Sequence, residues 1–368
     1  MANLITLSDI LAARDRIAPV AVRTPLVRLT RARLRMAGFA HLADTTPDIY
    51  LKDESAQPIG SFKLRGAYNK IAQLSDYQLS RGVITYSSGN HAQGVAYSAR
   101  ALNSKAVIVM PNNTPPVKLA ATKALGAEIV LVGPASTDRK LKAEELERDF
   151  GYTMVPPYDD EDIIAGQATI GLEILEQLPN VDLVLSPVSG GGLLSGTATA
   201  IKLASEARIQ SQKENRDLRE TSATSALEAL SHTPQVFGVE PEVSADAKQS
   251  FDSKTLTEWP ADKTTRTLAD GLRTQSLGQR NFDHILEFVD GIITVTEDEI
   301  RQALRILLTA TTLVPEPSGA VTLAAALFHH HEFPNVTPST KIAAILSGGN
   351  LDPNLRTQLE SEAALARA

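Results

Sequence analysis

Val181-Asp182-Leu183-Val184-Leu185-Ser186-Pro187-Val188-Ser189-Gly190-Gly191-Gly192-Leu193-Leu194-Ser195-Gly196 is an apolar run that enters three consecutive glycines and then a helical pattern over Leu194 to Ala204. Adjacent glycines let several backbone N–H groups converge on one anion, and the helix N-terminus behind them adds its partial positive charge. A phosphate fits such a loop. A plain flexible turn would not need three glycines, since each costs ordering entropy and one supports a turn as well as three. The spacing is not G-x-G-x-x-G, because Ser195 stands where the third glycine belongs, and there is no G-K-[ST] of a P-loop.

Working outward, the same strand-loop-helix unit recurs. Gly82 to Tyr86 reads as a strand, followed by a helix over His91 to Leu102, the strand Ala106 to Met110, a helix over Val117 to Leu125 and the strand Glu128 to Val132. After residue 181 come strands at Gln235 to Val239, Gly291 to Val295 and Lys341 to Leu346, with a helix over Glu299 to Leu313. Strands alternating with helices predict parallel sheets, here in two α/β units with Pro156 and Pro157 near one crossing between them. A capped helix is expected after Thr6 or Ser8, and the polar stretch 205–234 reads as a solvated helix or excursion.

Composition narrows the function. The 368 residues allow two to three domains of about 150 residues each. A net charge of −7 shows no basic surface for nucleic acid or an anionic membrane. With no cysteine in the chain, thiolate nucleophiles, disulfides and cysteine-based metal centres are excluded together. No run approaches the roughly 18 apolar residues of a membrane span, and Asp9 and Arg14 fall where a signal peptide needs its apolar centre. A cytoplasmic protein acting on a small molecule is the expectation, with its chemistry supplied by other side chains or a cofactor.

Three more motifs carry chemistry. In Gly60-Ser61-Phe62-Lys63-Leu64-Arg65-Gly66-Ala67, a lysine among small and apolar residues opens a helix expected over Leu64 to Leu74. Desolvation and the helix N-terminus both disfavour its charge and open the way to a neutral nucleophilic amine, while the motif taken alone reads as an ordinary surface lysine. Ser87-Ser88-Gly89-Asn90-His91 again lies between a strand and a helix, where hydroxyls, an amide and free N–H groups can hold a carboxylate or phenolic oxygen. Taken alone, His91 reads as a capping or internally satisfied histidine. Ser347-Gly348-Gly349-Asn350 follows the last strand. All four motifs fall at carboxyl ends of strands, where open α/β sheets bind ligands.

Taken together, the Lys63 motif, the Ser87 to His91 loop, the Ser189 to Leu193 loop and the Ser347 to Asn350 turn resemble the fold-type II pyridoxal-phosphate enzymes. The similarity is to their threonine/serine dehydratase and serine racemase branch. It extends from Thr24-Pro25-Leu26 through Lys52-Asp53-Glu54, Ala165-Gly166-Gln167 and Ala269-Asp270-Gly271 to Asn350. The resemblance implies two three-layer α/β domains with largely parallel sheets, like the tryptophan synthase β subunit. A large cofactor-binding domain would comprise 1–53 and 154–368. A small mobile domain, 54–153, would carry the lysine and the substrate-carboxylate loop and would exclude water on closing.

The resemblance also implies roles. Lys63 would form the internal Schiff base with pyridoxal 5'-phosphate and then act as base on the substrate Cα proton. Phe62 would pack beside the cofactor, Asn90 would bond the ring's 3-hydroxyl oxygen, and the backbone of Ser189, Gly190, Gly191, Gly192 and Leu193 would cradle the phosphate. Ser87, Ser88, Asn90 and His91 would bind the substrate carboxylate. Ser347 would meet the pyridine nitrogen, where a hydroxyl cannot hold the ring protonated as a carboxylate would. The weaker electron sink suits β-elimination: L-threonine to 2-oxobutanoate and ammonia, or L-serine to pyruvate and ammonia. Ser88 also makes two-base racemisation of serine available, as in the racemase relatives.

Glu240, the carbonyl of Ser244 and Asp246 resemble the family's loop for Mg²⁺ or Ca²⁺, with an acidic loop after a strand as the competing reading. Glu316 matches a residue near the cofactor ring, and equally reads as an acidic group opening the helix Ala320 to Leu327. Arg273 or Arg139 facing the site would select a second carboxylate and move the substrate towards 3-hydroxyaspartate, with solvent or interface arginines as the preferred reading of both. A nicotinamide-binding unit using Glu240 for a ribose fails on the missing glycine and leaves Lys63 unexplained. A catalytically inactive carrier of the cofactor would retain the same motifs without turnover. The family implies a homodimer. The 18 residues after Asn350 are too few for an amino-acid-sensing domain of the biosynthetic dehydratases.

Overall fold

The computed structural model describes residues 3–133, 136–217 and 232–365. Thr6 caps α1 (Leu7–Ile17) in a reciprocal box with Asp9. The antiparallel strands β1 (Leu26–Leu29) and β2 (Asp48–Asp53) follow, joined through α2 (Arg31–Met36) and α3 (Ala40–Ala43), whose Leu34, Leu42 and Ala43 reach the core. The next unit runs α4 (Lys63–Ile71), α5 (Asp76–Arg81), β3 (Val83–Tyr86), α6 (Asn90–Ala101), β4 (Ala106–Pro111), α7 (Pro116–Ala124), β5 (Glu128–Val132), α8 (Ser136–Phe150) and β6 (Thr153–Met154). The chain then returns through α9 (Glu161–Gln177), β7 (Leu183–Pro187), α10 (Gly192–Asp217), β8 (Gln235–Pro241), α11 (Asp246–Ser253), α12 (Ala261–Thr264) and α13 (Gln279–Phe288). It ends with β9 (Gly291–Val295), α14 (Glu297–Ala310), α15 (Pro317–Phe328), β10 (Lys341–Leu346) and α16 (Pro353–Leu365).

The strands form two sheets, one ordered β1-β2-β10-β7-β8-β9 and the other β5-β4-β3-β6. Every pairing is parallel except β1 with β2. Alternate residues of the larger sheet enter different cores: Leu183, Leu185, Val239 and Ile342 pack on one face with α14 and α15. Val184, Val236, Ala343 and Ile345 pack on the other with α9, α10 and α13. The smaller sheet divides in the same way, Ile108 and Met110 against Val107 and Val109. Both faces of each sheet are therefore covered, as the near-continuous Val/Ile/Leu runs require.

Several boundaries depart from the sequence reading. The strand expected at 181–185 begins at Leu183, and its helix starts at Gly192 and continues to Asp217, so 205–217 is helical. The rest of the polar stretch, 218–231, lies outside the described residues. The helix expected from Glu299 starts at Glu297, because the capping box joins Thr296 to Glu299. The helix that opens with Lys63 stops at Ile71, short of Leu74.

Candidate active site

The Lys63 and Ser347 motifs, 284 positions apart in sequence, are laced together. Ser61 and Gly348 form an antiparallel bridge, Phe62 N–H donates to the Ser347 carbonyl at 3.1 Å, and Gly349 N–H donates to the Gly60 carbonyl at 2.9 Å. Gly60 has a φ of +71°, and a Cβ there would lie 2.8 Å from Asn350 Oδ1, so only glycine suits the turn. The chain then enters α4 with Lys63 as its first helical residue.

Lys63 Nζ is half-buried and donates to the Pro157 carbonyl at 2.6 Å, with the Phe62 ring centroid 5.2 Å away. Burial pushes its pKa down to about 8. His91 is 2% exposed, and its Nε2 lies 3.0 Å from the Val155 carbonyl. Burial first, and the Lys63 charge second, push it down to about 3, so the imidazole is neutral and can only donate to that carbonyl. Its Nε2 is bonded across the seam while its Nδ1 is buried without a hydrogen-bond partner, whereas Ser87, Ser88 and Asn90 of the same loop remain half-buried. Gly89 caps α6 without a side-chain bond, leaving the first N–H groups of that helix without intrahelical partners.

Asn90 Nδ2 donates to Glu316 Oε1 at 2.8 Å, and Asn90 Oδ1 accepts from Asn350 Nδ2 at 2.7 Å. Three sequence motifs thus meet through one amide. Glu316 occupies the cap position of α15, yet its side chain makes no cap bond, so the helix-capping reading of this carboxylate fails in favour of the Asn90 contact. Burial, then Asp270, push Glu316 up to about 7. Asp270 pairs with Lys118 of α7, which joins an element of the smaller sheet's layer to one of the larger.

The glycine loop is buried at the start of α10, and Gly191 has a φ of +98°. Tyr158, which sequence reasoning missed, explains part of its composition: a Cβ on Gly190 would collide with the Tyr158 ring. Gly278 N–H holds the Gly190 carbonyl at 3.0 Å, and the Ser189 and Thr274 hydroxyls share a bond of 2.7 Å. Leu193 packs into the core beside the large sheet. Pro157 falls where the sequence places a crossing between the two units, whereas nothing in the local pattern marks Tyr158, Thr274 or Gly278, whose partners are set by that crossing.

Glu240, Ser244 and Asp246 are each at most 2% exposed. Glu240 accepts from Lys248 N–H at 2.6 Å, Ser244 Oγ donates to the Leu272 carbonyl at 2.9 Å, and Asp246 Oδ2 is buried without a hydrogen-bond partner. Glu242 is exposed and stands apart from them. Among the described residues no group of three or more His, Cys, Asp or Glu side chains is placed to hold a metal ion. Arg273 is exposed and spends Nε and Nη2 on the Thr267 carbonyl, which removes it from the site. Arg139 is half-buried and coupled electrostatically to Tyr86, the residue before Ser87.

A family model described as pyridoxal-phosphate dependent enzyme matches residues 17–348. The chain is 37% identical over 347 residues, 94% of each protein, to the L-threo-3-hydroxyaspartate ammonia-lyase of Saccharomyces cerevisiae. Among solved structures, the threonine deaminase of T.th. superposes with a TM-score of 0.79 at 41% identity, covering 95% of this chain and 99% of that one. The serine racemase of Dictyostelium discoideum superposes with a TM-score of 0.78 at 34% identity, with coverage of 95% and 99%. Among the described residues no helix is long and apolar enough to cross a membrane.

Proposed function

The chain belongs to the pyridoxal-phosphate dependent enzyme family, and we propose that it is an ammonia-lyase for β-hydroxy amino acids. It converts L-threonine to 2-oxobutanoate and ammonia, and L-serine to pyruvate and ammonia. The observation that carries this reading is Lys63: a desolvated amine fixed between the Ser347 turn and the crossing beside the glycine loop.

The residues fit the cofactor. Ser189 to Leu193 lead into the N-terminus of α10, where Gly190 and Gly191 leave no room for a Cβ against Tyr158 and Asn281 and backbone N–H groups are what the loop offers a phosphate. The Asn90 amide, with Oδ1 turned to Asn350, has a second Nδ2 proton for a phenolic oxygen. Phe62 flanks the amine, Glu316 holds Asn90, and Ser347 at the end of β10 offers a neutral hydroxyl for the ring nitrogen. Pyridoxal phosphate, when bound, supplies an electron-withdrawing ring that acidifies the Cα hydrogen of an amino acid. Lys63 Nζ accepts that Cα proton, and its lowered pKa matches a base working near neutrality. Ser87, Ser88, Asn90 and the N-terminus of α6, which begins beside His91, receive the substrate carboxylate. Segment 54–153 closes on the remainder to exclude water. The working form is a homodimer, as the resemblance implies, with the cytoplasm as its place from the sequence pattern.

A second substrate, L-threo-3-hydroxyaspartate, is supported by half-buried Arg139 beside Tyr86, a cation within the small domain near the carboxylate loop. Racemisation through Ser88 is the other alternative. A Mg²⁺ or Ca²⁺ ion fits the buried pair Glu240 and Asp246 with the Ser244 carbonyl, because Asp246 Oδ2 otherwise lacks a partner. Either ion is expected to raise the melting temperature of the enzyme and to do nothing for Asp246→Asn.

The test offers the three amino acids to the purified holoenzyme, with 2-oxoacid detection and chiral analysis. A visible absorbance band lost in Lys63→Ala, with 2-oxoacid from threonine or serine, supports the reading. Inversion of serine without 2-oxoacid replaces it with racemisation.

A further inference from the structure

Two residues beyond Lys63, Arg65 is 1% exposed and engages all five guanidinium donors. Nε donates to Glu54 Oε2 at 2.8 Å, and Nη1 donates to Glu173 Oε1 at 2.7 Å and Thr169 Oγ1 at 3.1 Å. Nη2 donates to Glu54 Oε1 at 2.8 Å, Glu173 Oε2 at 3.0 Å and the Val22 carbonyl at 3.3 Å. Lys52 Nζ completes the cluster, donating to Glu173 Oε2 at 2.5 Å and the Thr24 carbonyl at 2.8 Å. Two cations and two carboxylates balance inside the protein. Glu54 and Lys52 lie at β2, and Thr169 and Glu173 lie on α9, so every partner of Arg65 belongs to the framework of the larger sheet.

The rest of α4 repeats this attachment. A Cβ on Gly166 would sit 2.6 Å from Gly66 Cα and 2.7 Å from the Arg65 carbonyl, so α4 and α9 touch backbone to backbone. Further along, Asn69 Nδ2 donates to the Asp162 carbonyl at 2.6 Å, and Lys70 pairs with Asp160 and Asp162 at 2.9 Å. On its other side α4 meets the smaller sheet's layer through apolar contacts, Ala67 and Ile71 with Ala92 and Val95. Directional side-chain bonds hold α4 to α9, whereas α6 meets it by packing alone, Ala67 and Ile71 against Ala92 and Val95 and Gly94 against the Lys63 backbone, so movement between the two sheets would separate at the α4–α6 face.

We propose that Arg65 is a positioning residue for Lys63. Its guanidinium, clamped by Glu54 and Glu173, ties the start of α4 to β2 and α9, and the amine keeps its place beside the glycine loop while the four-stranded sheet moves. This narrows the moving part of segment 54–153 to the elements from β3 to β6. It rests on the reading of Lys63 as the reactive amine.

Hydrogen exchange on the wild-type holoenzyme, with and without saturating L-alanine, tests the inference. L-Alanine carries the amino and carboxylate groups and has no β-leaving group. The expected result is at least ~3-fold slower exchange in α6 and β3 with α4 unchanged. A change in α4 that matches α6, or no change in either, overturns it. Arg65→Lys, whose single ammonium cannot span both carboxylates, is expected to lower kcat by roughly 10- to 100-fold with KM within about 3-fold, and to shift the pH midpoint of the visible band. Wild-type kcat and midpoint in that variant overturn it. Should Arg65→Lys fail to fold, the exchange result decides. Failure of the underlying reading is seen separately, as a band that survives Lys63→Ala.

Discussion

At pH 7 an ordinary lysine is neutral in roughly one molecule in a few thousand, whereas an amine with a pKa near 8 is neutral in about a tenth. The burial that lowers the Lys63 pKa is the physical difference between a surface lysine and a nucleophile. Its sign sets a prediction. Below pH 8 the group is mostly ammonium and only its neutral fraction reacts, so the rate at which added pyridoxal phosphate develops its visible band with apoprotein should rise up to about pH 8, not up to about 10.5. A stopped-flow pH series measures it, and Lys63→Ala should show no band. Glu316 is displaced the other way, to about 7, by burial and then Asp270, so it is protonated below that pH and ionised above it. Ionised, it is the better acceptor for Asn90 Nδ2. The kcat/KM profile should therefore fall on the acid side of pH 7, and Glu316→Gln should remove that limb.

Among the elements, the loop between β7 and α10 shows how far a local pattern reaches. Three glycines before a helix were legible as an anion cradle from the sequence, and the strand-loop-helix order placed them at the carboxyl end of a strand. The sequence could not say that Tyr158 and Asn281 also require glycine there, because both arrive from distant segments. Gly191 combines a φ of +98° with an Asn281 Cβ only 2.7 Å from a new Cβ, whereas Gly126 has a φ of +90° and open space. Gly126→Ala should cost about 1 kcal/mol by thermal unfolding, for backbone conformation alone. Gly191→Ala should cost more, and should also weaken cofactor retention in equilibrium dialysis, which Gly126→Ala leaves unchanged.

For the whole molecule, a buried charge cluster ties α4 to the framework of the larger sheet. Removing one carboxylate from the Lys52–Glu54–Arg65–Glu173 cluster leaves a buried positive charge uncompensated, so Glu173→Ala should lower unfolding stability by about 3–5 kcal/mol in urea titrations. By contrast, exposed pairs such as Arg35–Asp44 should contribute under about 1 kcal/mol. By itself the sequence determined the parallel α/β class, through apolar runs alternating with helical periodicity, and the four motifs at strand ends, through residue types whose chemistry is local. It also settled the exclusion of thiol chemistry. Only the tertiary structure decided that His91 props the seam, that Glu316 faces Asn90 instead of capping its helix, that Arg273 is committed to a carbonyl, and that Arg65, two residues beyond Lys63, is tied to α9. The division has one physical reason: periodicity and turn chemistry act over a few residues, while burial and pairing depend on groups up to hundreds of positions away that only folding brings within 3 Å.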